Sequence, residues 1–383
     1  MDKPTVQDIF HRFYPAYLDQ YSPSPVQAKV AHNIMNCKTG AYGANVCVCE
    51  DCGFVQIHYN SCRNRCCPMC QAVPKEMWMD ARREDVLDAP YFHLVFTVPD
   101  ILNPVIYSNQ RLLYDALYHA ASSTISELTA DPKHLGAKVG YICILHTWGS
   151  EMNFHPHIHT VLLGGGLASN NQWRDNGENF FLPIRVISKV FRGKYLEELK
   201  RLWEEDKLVF HGTAEKFRNH YTFKELLDSC YGMDWIPHCK KTFNGAQTVI
   251  KYLGKYTHRI AVSNHRIVRM DDDTVTFSVK DYRNEGQWKE LTISGVEFVR
   301  RFLMHVPPRR FVRIRHYGLL CSRTKSQKLT LCRNLLGCKK YLSKLRDMEM
   351  PEILEHLYGI KVCVCKACGG HLGKPQMRMP LRC

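Results

Sequence analysis

Long apolar runs are missing from this 383-residue chain, and none approaches the roughly 20 residues needed to span a bilayer. The opening Met1-Asp2-Lys3-Pro4-Thr5 lacks the charged and apolar regions of a signal peptide. Both absences point to a soluble, cytosolic protein. Internal repeats and low-complexity segments are also missing. Acidic residues vanish from one stretch: Arg300 to Arg346 holds fourteen Lys and Arg and no Asp or Glu, nearly the whole formal net charge of +15. A run so one-sided, interleaved with Phe302, Phe311, Tyr317 and Tyr341, favours a polyanionic partner over an ordinary solvated face. No strongly amphipathic apolar face accompanies it, so nucleic acid fits better than a membrane surface.

Hydrophobic residues make up 45% of the chain, enough for a sizeable core in two or three domains. Eight of the eighteen cysteines fall between Cys37 and Cys70. Without a secretory signal, that density argues for metal thiolates rather than disulfides. Cys49-x2-Cys52 and Cys67-x2-Cys70, fourteen residues apart, have the spacing of a four-thiolate zinc site, each turn offering two sulfurs to one tetrahedral ion. Cys37, Cys47, Cys62 and Cys66 remain for a second zinc site; one ion or two both fit. Cys363, Cys365 and Cys368 form a further knuckle, with Cys338 or Cys383 available to complete it. Lys38, Arg63, Arg65 and Lys75 put positive charge on the N-terminal module.

The central pattern is Tyr141 to Gly166. Tyr141 to Trp148 reads as a strand, Gly149 to Phe154 as a polar turn, and His157 to Leu163 as a second strand halted by Gly164-Gly165-Gly166. Alternation places His157 and His159 on one face, about 7 Å apart along the backbone, so one cation can be held by both. His146, across the turn, supplies a third ligand and leaves positions open for substrate oxygens. A lone His-x-His pair is more often ordinary polar surface; three histidines on one hairpin shift the balance.

Around the hairpin, Val6, Ile9, Phe10, Phe13 and Tyr17 fall at helical spacing, and Ser24-Pro25 starts a second short helix. Met77 to Leu87 reads as a linking helix, and Tyr91 to Val98 as a strand with Phe92, Leu94, Phe96 and Val98 on one side. Leu112 to Leu128 and Val190 to Trp203 carry helical apolar stripes, the second after Ser188 as N-cap. Val275, Phe277 and Val279 alternate as a strand, Ser294 to Glu297 is a capping box, and a final helix is expected from Leu329 to Leu345. Strands and helices mixed this way indicate an α+β layer.

Phe243 to Arg259 holds a second constellation. Tyr252 and Tyr256 lie one helical turn apart beside Lys251, Lys255, His258 and Arg259, so two hydroxyls can face one substrate. Tyrosines at that spacing are usually packing residues. The flanking cations favour a chemical role, because a phenol becomes a nucleophile only when its pKa falls or a proton acceptor lies close.

Taken together these motifs resemble the insertion sequence ninety-one family of rolling-circle transposases, members of the HUH endonuclease superfamily related to Helitron and replication-initiator proteins. The carriers are Asn60 to Cys70, Leu145-His146-Thr147-Trp148-Gly149, His155 to His159 with the glycine triplet, Tyr252 to Arg259, and Arg313-Ile314-Arg315-His316-Tyr317-Gly318. The resemblance implies an HUH-type antiparallel sheet flanked by helices, an N-terminal zinc-binding module over residues 1–85, a catalytic domain over 86–270 and a basic DNA-binding region over 271–383. It implies Mg2+ or Mn2+ on His157 and His159, Tyr252 and Tyr256 as nucleophiles, and single-stranded or hairpin DNA ends as substrate in a bacterial, nucleoid-associated setting. Cleavage would leave a 5′-phosphotyrosine and a free 3′-hydroxyl. Plasmid replication initiators or relaxases use the same chemistry, and a non-catalytic zinc-dependent regulator would account for the cysteines and charge but leave the histidines and tyrosines idle.

Overall fold

The computed structural model describes residues 3–176, 182–235, 237–243, 248–250, 252, 254, 260–281 and 286–378. Its strands, in chain order, are β1 (Ala44–Val48), β2 (Val55–Tyr59), β3 (Tyr91–Thr97), β4 (Lys138–Trp148), β5 (Phe154–Leu167) and β6 (Trp173–Asp175). They continue as β7 (His238–Phe243), β8 (Ile267–Met270), β9 (Thr274–Asp281), β10 (Gln287–Ser294), β11 (Ile314–Gly318) and β12 (Gln376–Arg378).

Six of these build the central antiparallel sheet, in the order β11-β4-β5-β3-β7 with β6 on the far end of β5. Alternation along each strand gives the sheet two unlike faces. Phe92, Leu94 and Phe96 of β3, Cys143 and Leu145 of β4, and Ile158 and Leu162 of β5 point into one core, covered by helices Gln110–Ala130 and Ile184–Glu204. Ile142, Ile144, Val161 and Leu163 point the other way and meet Met79, Val249 and Ile250. His146, His157 and His159 share that second face.

The expected hairpin is present but longer than the sequence suggests. β5 runs through Gly164, Gly165 and Gly166 instead of stopping at them. The glycines are there for close approach: a Cβ on Gly166 would lie 2.4 Å from the Lys138 carbonyl oxygen, and one on Gly165 would lie 2.4 Å from the Trp173 ring.

Helix Val6–Gln20 starts at a capping box made by Thr5 and Asp8, and helix Pro25–Met35 at one made by Ser24 and Gln27. Both pack on the β8-β9-β10 sheet and helix Gly295–Met304, so Phe10, Phe13 and Ile34 share a core with Phe277, Phe298 and Phe302. Residues 271–383 are accordingly distributed over the molecule: β11 lies at the edge of the central sheet, and β12 pairs with β1. Two helix expectations are corrected. Ser188 lies inside Ile184–Glu204 and bonds the Trp235 carbonyl rather than capping. The helix expected from Leu329 to Leu345 is Lys325–Leu336, stopped by Gly337 in the left-handed region at φ 63°. Beyond it, Ser343 Oγ and the Leu345 amide donate to buried Asp80 at 2.6 and 2.9 Å. The linking helix spans Ala72–Arg83, starting earlier than its apolar pattern suggested.

His305 closes helix Gly295–Met304 against the hairpin turn. It is buried, its Nε2–H donates to the Met152 carbonyl at 3.0 Å, and its Nδ1 lies 3.1 Å from Thr147 Oγ1, whose hydroxyl can donate to the neutral ring. Burial pushes its pKa down to about 4. The unfolded chain, with a histidine pKa near 6.5, binds this proton first; stability is therefore complete above about pH 6.5 and falls toward pH 4 by up to about 1.4 kcal/mol per pH unit. In thermal melts from pH 7 to 4, His305→Gln is expected to flatten that decline by about one proton relative to the parent. An unchanged slope would show that this ring is not held neutral.

Candidate active site and zinc clusters

His146 stands directly opposite His157 in the β4-β5 register, and His159 follows one alternation along β5. The ligand nitrogens of these three buried residues lie within 4.8 Å of one another. His157 Nδ1–H donates to the His155 carbonyl at 2.7 Å, which turns a bare Nε2 toward the centre. That Nε2 is 3.0 Å from His159 Nε2. Two nitrogens at about 2.1 Å from one ion, bound at right angles, would be about 3.0 Å apart, so the pair fits a shared cation. Burial, then neighbouring His155, pushes His157 down to about 3; burial and the surrounding imidazoles hold His159 well below its ordinary value. These two rings are therefore neutral near pH 7, the form that ligates.

A fourth histidine joins them. His93, on the same face of β3, lies with Nε2 2.9 Å from His159 Nδ1. The Tyr252 hydroxyl hydrogen-bonds the same His93 Nε2 and lies 3.3 Å from His159 Nδ1. Tyr252 thus sits at the histidine centre, although nearly a hundred residues separate them in sequence. Its helical stretch is set by packing: Val249, Ile250 and Tyr252 lie against Met79, and a Cβ on Gly254 would fall 1.9 Å from Met79 Sδ. Tyr256, Lys255, His258 and Arg259 lie outside the described residues.

The cysteines fall into two four-sulfur clusters, Cys37 with Cys62, Cys67 and Cys70, and Cys49 with Cys52, Cys365 and Cys368. Zn–S bonds of about 2.3 Å make tetrahedral S···S edges of about 3.8 Å. Cys62–Cys70 at 3.8 Å, Cys52–Cys365 at 3.8 Å and Cys49–Cys368 at 3.6 Å match that edge and are far too long for disulfides. Both clusters are built to hold zinc. This corrects the expected groupings: Cys49 and Cys52 do not meet Cys67 and Cys70, because the C-terminal knuckle, carried in by β12 pairing on β1, takes that place. The two knuckles are built alike, with Gly53 N–H bonding Cys49 O at 3.1 Å and Gly369 N–H bonding Cys365 O at 2.9 Å. Cys47 and Cys66 belong to neither cluster. Cys47 packs between the knuckles, and burial pushes Cys66 up to about 11 against the pull of Arg313 and Arg65.

Much of the basic run is neutralised internally. Arg300 and Arg301 bind Glu297, Arg315 binds Asp115, Lys325 binds Asp85 and Arg346 binds Glu84. Arg309, Arg310, Arg323, Lys339, Lys340 and Lys344 are exposed and form no ion pair among the described residues. No described helix is long and apolar enough to cross a membrane.

Imidazoles converging on the central strands of an antiparallel sheet, faced by a phenol, form a candidate metal centre of the HUH class. The family model described as "Putative transposase" matches residues 140–328, and that described as "Transposase zinc-binding domain" matches residues 9–98. Over 369 residues the chain is 40% identical to "Putative transposase y4qJ" of Sinorhizobium fredii, covering 95% of this chain and 93% of that protein. It is 30% identical over 309 residues to the transposase for insertion sequence element IS801 of Pseudomonas savastanoi pv. phaseolicola, covering 79% and 72%. Among solved structures, the conjugative relaxase TrwC in complex with oriT DNA, copper-bound, is 13% identical over 67% of this chain and 96% of that one, with a TM-score of 0.26. The chain belongs to the insertion sequence ninety-one family of transposases, two-tyrosine enzymes of the HUH superfamily.

Sequence reasoning missed His93, although the alternation in β3 already put it on the face opposite Phe92 and Leu94. It also missed that Cys365 and Cys368 complete the N-terminal knuckle; their matching Cys-x2-Cys-Gly pattern was the available signal. Native mass spectrometry is expected to find two zinc ions per chain. Cys368→Ala should lose one and make the segment after Tyr358 sensitive to protease, and retention of both ions would refute the grouping.

Proposed function

We propose that this transposase cleaves and rejoins single-stranded DNA in rolling-circle transposition, with Tyr252 and Tyr256 as nucleophiles and His146, His157 and His159 holding Mg2+ or Mn2+. The observation that carries the reading is the Tyr252 hydroxyl placed at His93 and His159, beside the three-imidazole centre. A divalent cation bound there would neutralise charge on the phosphate oxygens. Tyr252 Oη attacks phosphorus, the bond to the 3′-oxygen of the preceding nucleotide breaks, and that oxygen leaves to take up a proton. The products are a 5′-phosphotyrosine and a 3′-hydroxyl; attack by a 3′-hydroxyl reverses the step and joins a strand.

His93 is the acceptor nearest the phenol. Its Nε2 has one lone pair, wanted both by the Tyr252 hydroxyl and by His159 Nδ1. It therefore either takes the phenolic proton or orients the ring of His159, and the two roles exclude each other at any instant. Tyr256 would serve the second strand. The exposed cations of residues 309–344, with the zinc module, would grip the backbone and the hairpin ends.

Incubation with Mn2+ and a single-stranded oligonucleotide of the element's end is expected to yield a covalent adduct. It should disappear in the Tyr252→Phe, Tyr256→Phe double variant and fall at least a hundredfold in His159→Ala, roughly the loss of a metal-held electrostatic contact. An adduct surviving the double variant removes both nucleophiles from the reading. Replacing Arg309 and Arg310 by Ala should lower the slope of log affinity against log salt by roughly 1.4, about 0.7 per phosphate contact for a single strand. An unaltered slope places the backbone elsewhere.

A further inference from the structure

Beside the histidine centre lies a cavity of about 450 Å3 lined by Thr97, Val98, Pro99, Asp100, His155, Met233, Asp234 and Trp235. None of the three metal ligands lines it, but two of its lining residues neighbour His157. Thr97 is the register partner of His157, and the His155 ring is 5.1 Å from the His157 ring. A nucleotide whose phosphate sits at the three histidines has its neighbouring base within reach of this opening.

The chemistry of the lining says what enters. Pro99 and the half-exposed Met233 give it an apolar wall over Val98 and Trp235, which are almost wholly buried beneath it, and the Trp235 indole N–H is already spent on the Cys230 carbonyl at 3.0 Å, so it offers no donor. Two carboxylates face the same space in a chain of net charge +15. Asp100 Oδ1 receives His155 Nδ1 at 3.2 Å and Asn103 Nδ2 at 3.3 Å, which fixes its carboxylate at the rim. Asp234 makes no hydrogen bond or ion pair among the described residues. Carboxylates repel a phosphate and accept hydrogen bonds, and an apolar cleft of this size suits a flat ring.

We propose that this cavity receives one unstacked nucleobase next to the scissile phosphate, and that Asp100 and Asp234 read its amino-bearing edge. The inference rests on the reading that the site cleaves single-stranded DNA. Guanine offers two adjacent N–H donors to one carboxylate, and adenine and cytosine offer an amino group. Thymine presents a single N–H flanked by two carbonyl oxygens, which a carboxylate repels. The cavity therefore selects against thymine and favours guanine.

The test captures covalent adducts formed by the full chain with Mn2+ on single-stranded DNA randomised around the cleavage point, then sequences them. The parent enzyme is expected to exclude thymine at one flanking position by roughly tenfold or more, the scale of a good base-edge contact. Asp234→Asn and Asp100→Asn, which replace one acceptor oxygen by a donor, should relax that exclusion at the same position and no other. Met233→Trp, which fills the cavity, should erase the preference and make an abasic residue there as good a substrate as any base. Adducts formed with an unchanged base profile in all three variants overturn the proposal while leaving strand cleavage standing. Absence of adducts with the parent protein removes the underlying reading instead. A change confined to the Mn2+ concentration needed by the Asp→Asn variants, with no change in base preference, would make the cavity a second cation site and also overturn it.

Discussion

Everything in the catalytic half depends on bringing three imidazoles together in a space that burial keeps nearly dry. Converging lone pairs repel one another unless a positive charge lies between them, so the arrangement persists only if the backbone leaves no escape. Here the backbone is the middle pair of strands in a six-stranded sheet, His146 and His157 face each other across the ladder, and the reverse face is clamped by two long helices. The His155 carbonyl then fixes which nitrogen of His157 is bare.

The phenol reaches that centre through the zinc module. Helix Ala72–Arg83 begins two residues after Cys70, so the first thiolate cluster fixes its starting point. Met79 on this helix packs against the stretch carrying Tyr252, while Asp80 on it and Glu84 and Asp85 just past its end hold Ser343, Arg346 and Lys325. One short helix thus ties the first zinc cluster, the nucleophile and the basic segment together.

The histidine hairpin was legible because strand alternation is a local rule: residues two apart share a face whatever surrounds them. The N-terminal helices were legible for the same reason, their caps and apolar spacing being local signals. Pairing between distant segments was not. Four Cys-x2-Cys sulfurs close in sequence suggest one ion, yet β12 arrives from the far end of the chain and takes the place next to Cys49 and Cys52. Charge misled in a related way: the absence of acid between Arg300 and Arg346 hid the carboxylates that Glu84, Asp85, Asp115 and Glu297 bring to it from outside. His93 was overlooked because alternation tells which face a residue takes but not which neighbour it meets two strands further along the chain.

The second thiolate cluster joins residues some 313 positions apart, so it behaves as a clasp on a nearly complete ring. Closing so long a loop is entropically costly for a free chain and becomes cheap only after the intervening domains have folded and brought the ends near. During synthesis the nuclease core emerges from the ribosome before Cys365 does. The clasp can therefore close only once the chain has been made past Cys368.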